Sequence, residues 1–120
     1  MKLVLLRDQS SSFTGTPKFS VTAKVEVSAA EQASIKKYKM GKTLLYTNMD
    51  DRGKGLLGAI SRASMEIKFT INDLIDGKKI ECKDIMEMLA LEEVIVSVSK
   101  TFKQVLEAAA SFGGETVIEL

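Results

Sequence analysis

An apolar repeat in the last third of the chain sets the strongest limit on its fold. Large apolar residues recur there every seven positions in two parallel series. The series are Met88, Ile95, Phe102 and Ala109, and Leu91, Val98, Val105 and Phe112. Such a stripe is typical of an α-helix that packs one face against another surface. A helix over residues 85–111 would be roughly 40 Å long, so the rest of the core is expected to form along it.

A second interpretation of this segment stays open at residues 94–99. The sequence VIVSVS is rich in β-branched residues, which favour strands. A strand there would divide the end of the chain into helix, strand, helix and strand. Because the heptad register passes through these residues unbroken, we expect one continuous helix. The glycines at 113 and 114 would end it, and residues 116–120 are predicted to form a last strand.

Strand and helix signals also follow one another in the first part of the chain. Residues 2–7 are predicted to form a short strand, and 8–17 a polar loop that contains the only proline. Apolar and polar residues then alternate strictly over 18–27, as in a half-buried strand. Ser28 and Glu31 have the spacing of a capping box, which predicts a helix over 29–39 that Gly41 would end.

The middle of the chain adds shorter elements. Residues 43–47 and 65–71 are predicted strands, with an Asp- and Gly-rich loop between them. An Asp-Gly turn at 76–77 predicts a hairpin that returns through residues 78–82, and Asp84 is placed to cap the long helix. Residues 1–120 are therefore expected to form a single α+β domain. It would have two layers: a mostly antiparallel sheet of five or six strands, and one short and one long helix.

Composition disfavours several kinds of catalysis. The chain contains no histidine and one cysteine, Cys82. It thus lacks the base of a Ser–His–Asp or Cys–His pair, and Cys82 with carboxylates is a poor zinc ligand set. We expect no cofactor and favour a binding role over an enzyme. A lone cysteine and the absence of a long apolar run near residue 1 also predict a cytoplasmic protein without a membrane partner.

Charge is distributed unevenly along the chain. Residues 35–68 carry eight basic and three acidic side chains, whereas residues 70–120 carry five basic and ten acidic ones. Such a distribution suits an anionic partner such as nucleic acid, or head-to-tail contact with another copy, and it also suits two solvated surfaces. The candidate phosphate contacts are Lys36, Lys37, Arg52, Lys54 and Arg62.

A glycine motif lies within the basic segment. Residues 53–58, GKGLLG, match the G-x-G-x-x-G pattern of dinucleotide-binding proteins. That fingerprint needs a tight turn directly after a strand and a crossover helix behind it. Several residues separate the predicted strand from the first glycine, and too few follow before the next strand for a crossover. We therefore interpret the motif as a basic surface loop, which is compatible with phosphate contacts.

Three functional hypotheses follow. The first is a non-catalytic interaction or assembly module that forms a homo-oligomer through the long helix. Its candidate interface residues are Met88, Leu91, Ile95, Val98, Phe102 and Val105. The alternative is a nucleic-acid or phosphate-binding accessory protein that uses the basic 36–62 segment. A weaker alternative is a small enzyme that holds a divalent cation with paired carboxylates, such as Asp50–Asp51, Asp73–Asp76 or Glu92–Glu93.

Overall fold

The structure of the protein, a computed structural model, describes residues 1–11, 13–48, 66–112, 115 and 117–120. Its strands and helices form an α+β fold, as the sequence predicts. In chain order the elements are β1 (Lys2–Ser11), β2 (Pro17–Glu26), α1 (Ala29–Lys37), β3 (Leu44–Asn48), β4 (Glu66–Thr70), α2 (Ile71–Asp76), β5 (Lys78–Cys82) and α3 (Ile85–Ala110).

The larger sheet contains three antiparallel strands in the order β1-β2-β5. Its central strand, β2, is the one with the strict alternation of apolar and polar residues. Because successive side chains of a strand point to opposite faces, Val21, Ala23 and Val25 all lie on one face. These three side chains are at most 1% exposed. β1 is longer than predicted and pairs with β2 along its whole length, from Lys2 to Ser11.

The smaller sheet is a separate antiparallel pair, β3 with β4. The described residues thus contain five strands divided between two sheets, so the prediction of one sheet of five or six strands is not confirmed. The sequence predicted a hairpin turn at 76–77 between strands 65–71 and 78–82. The structure instead has a short helix, α2, between β4 and β5, so the hairpin prediction was wrong.

A capping box explains the start of α2. The Thr70 hydroxyl accepts a hydrogen bond from the N–H of Asp73 at 3.0 Å, and the Asp73 carboxylate accepts one from the N–H of Thr70 at 2.9 Å. This reciprocal pair starts a helix directly after β4. Gly77, with φ of 99°, ends the helix before β5. The same hydrogen bonds hold the pKa of Asp73 below its usual range.

One continuous helix, α3, covers the apolar repeat. Residues 94–99 are helical, so the alternative with a strand there is excluded. Asp84 caps the helix as predicted, because its carboxylate accepts a hydrogen bond from the N–H of Glu87 at 2.8 Å. The predicted last strand does not form at residues 117–120, where Val117 and Ile118 are each 74% exposed.

The apolar stripe of α3 supplies much of the protein's own core. α3 packs against all three strands of the larger sheet and against α1. Four of the six residues predicted as an oligomer interface are buried in this core: Met88, Leu91, Ile95 and Phe102. Val98 is partly buried against the same cluster, whereas Val105 is exposed. The fold therefore covers most of the surface that the sequence assigned to a second copy, and that assignment stays a prediction.

No helix in the described part of the chain combines the length and the apolar character that a membrane span requires.

Candidate phosphate-binding groove

Three lysines surround a cavity at the C-terminal end of α1. The cavity has a volume of about 440 Å³ and lies between α1, the turn that follows it, and the first turn of α2. We call it the lysine groove. Its lining residues are Gln32, Ile35, Lys36, Lys39, Gly41, Lys42 and Asn72.

The start of α1 aligns the first side of the groove. The Ser28 hydroxyl accepts from the N–H of Glu31 at 3.1 Å, and the Glu31 carboxylate accepts from the N–H of Ser28 at 2.9 Å, as the predicted capping box requires. Gln32 and Lys36 follow at a spacing of four, which places them on one face of the helix. Ile35 is only 3% exposed and attaches this part of α1 to the core.

The end of α1 places Lys39 in an unusual backbone conformation. The N–H of Met40 donates to the carbonyl of Ile35 at 2.9 Å, and the N–H of Lys39 donates to the carbonyl of Lys36 at 3.2 Å. This pair of bonds defines a Schellman motif, whose left-handed position is usually a glycine. Here the position is Lys39, with φ of 54°. The prediction that Gly41 is the left-handed stop was therefore wrong.

Gly41 instead packs closely against the Asn72 side chain in the first turn of α2. A Cβ atom at this position would lie 2.7 Å from Oδ1 of Asn72. The N–H of Asn72 donates to the carbonyl of Gly41 at 2.9 Å, and the N–H of Ile71 donates to the carbonyl of Thr43 at 3.2 Å. These bonds satisfy two amides in the first turn of α2 and fix the turn against it. Lys42 and Asn72 are thereby held on the second side of the groove.

The lining has a single sign of charge. Lys36, Lys39 and Lys42 carry its formal charges, Gln32 and Asn72 add amide groups, and no carboxylate is among the described residues that line it. Ammonium groups and amide N–H groups donate hydrogen bonds to anions. The described lining therefore has the donor groups that bind an anion.

The candidate phosphate contacts have different locations. Lys36 lines the groove, whereas the Lys37 ammonium lies over the ring of Tyr38, 5.4 Å from its centroid. Arg52, Lys54 and Arg62 lie outside the described residues, as does the glycine motif at 53–58.

Sequence reasoning missed four polar residues of the groove: Gln32, Lys39, Lys42 and Asn72. The spacing of three between the lysines at 36, 39 and 42 was a usable signal. No comparable signal pointed to Asn72, because the fold alone brings it to the groove.

Cys82 does not form a reactive site. Its side chain is 8% exposed. Burial, and to a smaller extent the nearby carboxylates of Glu87, Glu92 and Asp84, raise the pKa of the thiol to about 11, since each disfavours the thiolate. At neutral pH Cys82 is therefore a protonated, weakly nucleophilic group.

We expect Cys82 to react slowly with an alkylating reagent. A raised pKa leaves little thiolate at pH 8, and we expect the folded protein to react at least about tenfold more slowly than the unfolded chain. The measurement is the rate of iodoacetamide labelling, followed by mass spectrometry, with and without denaturant. Equal rates in the two conditions would contradict the burial of this thiol.

The paired carboxylates do not assemble into a metal site in the part of the chain that can be described. No group of three or more histidine, cysteine, aspartate or glutamate side chains there is arranged so that it could hold a metal ion. The Asp73 carboxylate accepts the N–H of Thr70 in the capping box of α2, and Glu92 accepts two hydrogen bonds of 2.6 and 2.7 Å from the guanidinium of Arg7. The pair at 50–51 lies outside the described residues.

No protein-family model matches the chain, and no curated protein or solved structure matches it.

Proposed function

We propose that the protein is a non-catalytic binding protein that holds the phosphate backbone of a nucleic acid strand in the lysine groove. The observation that carries this proposal is the charge of the lining. Lys36, Lys39 and Lys42 surround one cavity, and no described carboxylate lines it to neutralise them. Phosphate oxygens are the anionic groups that a nucleic acid presents at regular intervals, and lysines bind them as point charges.

The chemistry of the groove favours the backbone over the bases. Its described lining has no aromatic side chain on which a base would stack. The nearest aromatic ring along the chain, Tyr38, already contacts the Lys37 ammonium and the edge of Phe112. Recognition would therefore depend on charge and be largely independent of base sequence. Arg52, Lys54 and Arg62 stay predicted contributors to the same surface.

The salt dependence of binding tests the proposal. A fluorescently labelled single-stranded DNA is titrated with the protein at several salt concentrations, and anisotropy gives the affinity. Each lost phosphate contact is expected to reduce the slope of log affinity against log salt by about 0.7. We therefore expect the triple variant Lys36→Gln, Lys39→Gln and Lys42→Gln to lower the slope by about 2 and to weaken binding at every salt concentration.

A matched control is available at a second cavity, which residues of β1, β2, β5 and α3 line. It also has three lysines, but three carboxylates lie among them: the lysines are Lys18, Lys79 and Lys83, and the carboxylates are Asp8, Glu81 and Glu87. The glutamine variant of these three lysines changes the net charge equally and should retain most of the affinity. The proposal fails if the wild type does not bind DNA at low salt, or if both triple variants lose affinity equally. Binding of tripolyphosphate by a protein that does not bind DNA would redirect it to a small phosphate ligand.

Assembly stays a second proposal. Of the six residues predicted as the interface, only Val105, at 45% exposed, and the partly buried Val98 are open to a partner, so these six offer only a narrow apolar contact. A more extensive open surface is the free edge of the three-stranded sheet, and the following inference concerns that edge.

A further inference from the structure

β1 is a long edge strand with an unpaired side. It runs from Lys2 to Ser11 and pairs with β2 in an unbroken register over its whole length. No other strand in the described part of the chain pairs with β1, which therefore lies at the edge of the sheet. Alternate N–H and C=O groups of an edge strand point away from the sheet and are free to pair with another strand.

This edge lacks most of the usual protection against pairing. Protective devices include short length, bulges, prolines and charges on the edge. β1 has ten residues, a regular register and no proline or glycine. Of its charged residues, Arg7 forms an ion pair with Glu92 of α3, so its charge is partnered on the helix side of the sheet although its side chain is 60% exposed. Lys2 and Asp8 are the other two charges on the strand.

The open face of β1 is self-complementary. Every second side chain of β1 lies on this face, and the residues between them contact α3 on the other face. The side chains on the open face are Lys2, Val4, Leu6 and Asp8. Val4 is 42% and Leu6 65% exposed. If two copies of β1 pair antiparallel about Leu5, Lys2 of each copy lies opposite Asp8 of the other. Val4 then lies opposite Leu6, so opposite charges and apolar side chains both meet, and both kinds of cross-strand pair are stabilising.

Neighbouring registers lack this match. A two-fold axis at Val4 would place Lys2 opposite Leu6, and an axis at Leu6 would place Asp8 opposite Val4. A shift by one residue would exchange the two faces of the strand. The arrangement about Leu5 therefore combines charge and apolar complementarity in one register.

We propose that β1 is the contact between two copies of this chain, paired antiparallel about Leu5 to form a continuous six-stranded sheet. On the other face of the sheet, Leu3 of one copy meets the aliphatic stem of Arg7 of the second copy, whose charged end is held by Glu92. Such an isologous contact forms a closed dimer, because the same surface is used twice. This proposal is independent of the lysine groove.

A charge-exchange experiment tests the register. Molar mass is measured by light scattering during gel filtration over a range of protein concentrations. We expect a dimer for the wild type. The Lys2→Glu and Asp8→Lys variants each place like charges opposite one another at two symmetry-related positions, and each is expected to weaken the dimer by about tenfold. The double variant exchanges the charges and is expected to restore the wild-type affinity.

The double variant also separates the contact between copies from effects within one chain. Lys2 lies opposite Glu26 of β2, so Lys2→Glu creates a like-charge pair inside the chain that Asp8→Lys does not relieve. Recovery of the dimer in the double variant therefore reports the contact between copies. Lys24→Glu, the same charge change on the central strand, is the control and should leave the dimer intact.

Three outcomes would overturn the proposal. The first is a wild-type protein that stays monomeric up to about 1 mM, where even a weak contact would be populated. The second is a dimer that neither single variant weakens, which would place the contact elsewhere. The third is a weakened dimer in both single variants that the double variant does not restore.

Discussion

Replacing Phe102 by alanine is expected to lower the free energy of unfolding by about 3 to 5 kcal/mol. Phe102 is 1% exposed and belongs to the cluster that α3 forms with the inner face of β2. Truncation would remove a large apolar side chain and leave a cavity, and surrounding atoms relax only partly into such a space. A loss of this size is a large fraction of the stability of an ordinary small domain.

Urea unfolding followed by far-UV circular dichroism measures this effect; the chain has no tryptophan to report by fluorescence. The matched control is Val105→Ala on the same helix. Val105 is 45% exposed, so we expect its loss to change stability by less than about 1 kcal/mol. Similar losses for the two variants would contradict the packing of α3. If Val105→Ala lowers stability only at high protein concentration, α3 takes part in a contact between copies.

Replacing Lys39 by glycine is expected to stabilise the protein and to weaken DNA binding at the same time. Lys39 holds the left-handed position of the Schellman motif at the end of α1. A residue with a Cβ is disfavoured there and glycine is not, so the free energy of unfolding should rise by about 1 kcal/mol. The same change removes one of the three cations of the lysine groove.

The Lys39→Ala variant is the matched control, because it removes the charge but keeps the Cβ. We expect it to lose as much DNA affinity as Lys39→Gly without the gain in stability. Stability is measured by urea unfolding, and affinity by anisotropy at low salt. Equal stabilities of the alanine and glycine variants would contradict the left-handed strain. Unchanged DNA affinity in both variants would exclude Lys39 from the phosphate contact.

A strained lysine at a position that favours glycine supports the binding proposal in its own right. Backbone strain tends to persist where it positions a group for function. At residue 39 the strain directs a cation to the same cavity as Lys36 and Lys42. A gain in the free energy of unfolding together with a loss of DNA affinity is thus expected for the glycine variant of Lys39.

Local patterns in the sequence were sufficient for most of the helices and strands. The capping box at Ser28, the alternation in β2 and the heptad stripe of α3 each involve hydrogen bonds or side-chain spacing within a few residues. The short helix α2 was missed although its signal is also local. Thr70 and Asp73 form its capping box, but the alternation in β4 and the Asp-Gly pair after it favoured a hairpin instead.

Of the candidate site, the sequence alone indicated a basic segment, and of its candidate contacts Lys36 lines the groove. It determined where cations are frequent along the chain, but it gave no indication of which of them share a cavity. Lys37 is a neighbour of Lys36 and yet contacts Tyr38. The direction of a side chain at a helix end depends on the capping conformation, which here is left-handed at Lys39.

The sequence by itself thus determined the helical stripe, the central strand and the N-caps of α1 and α3, since all of these depend on interactions between near neighbours. The tertiary structure decided the division into two sheets, the burial of the stripe in the chain's own core, and the meeting of Asn72 with Gly41 at the groove. Each of these involves residues far apart in the chain. Their arrangement depends on how apolar faces pack together, and no periodic pattern in the sequence records that choice.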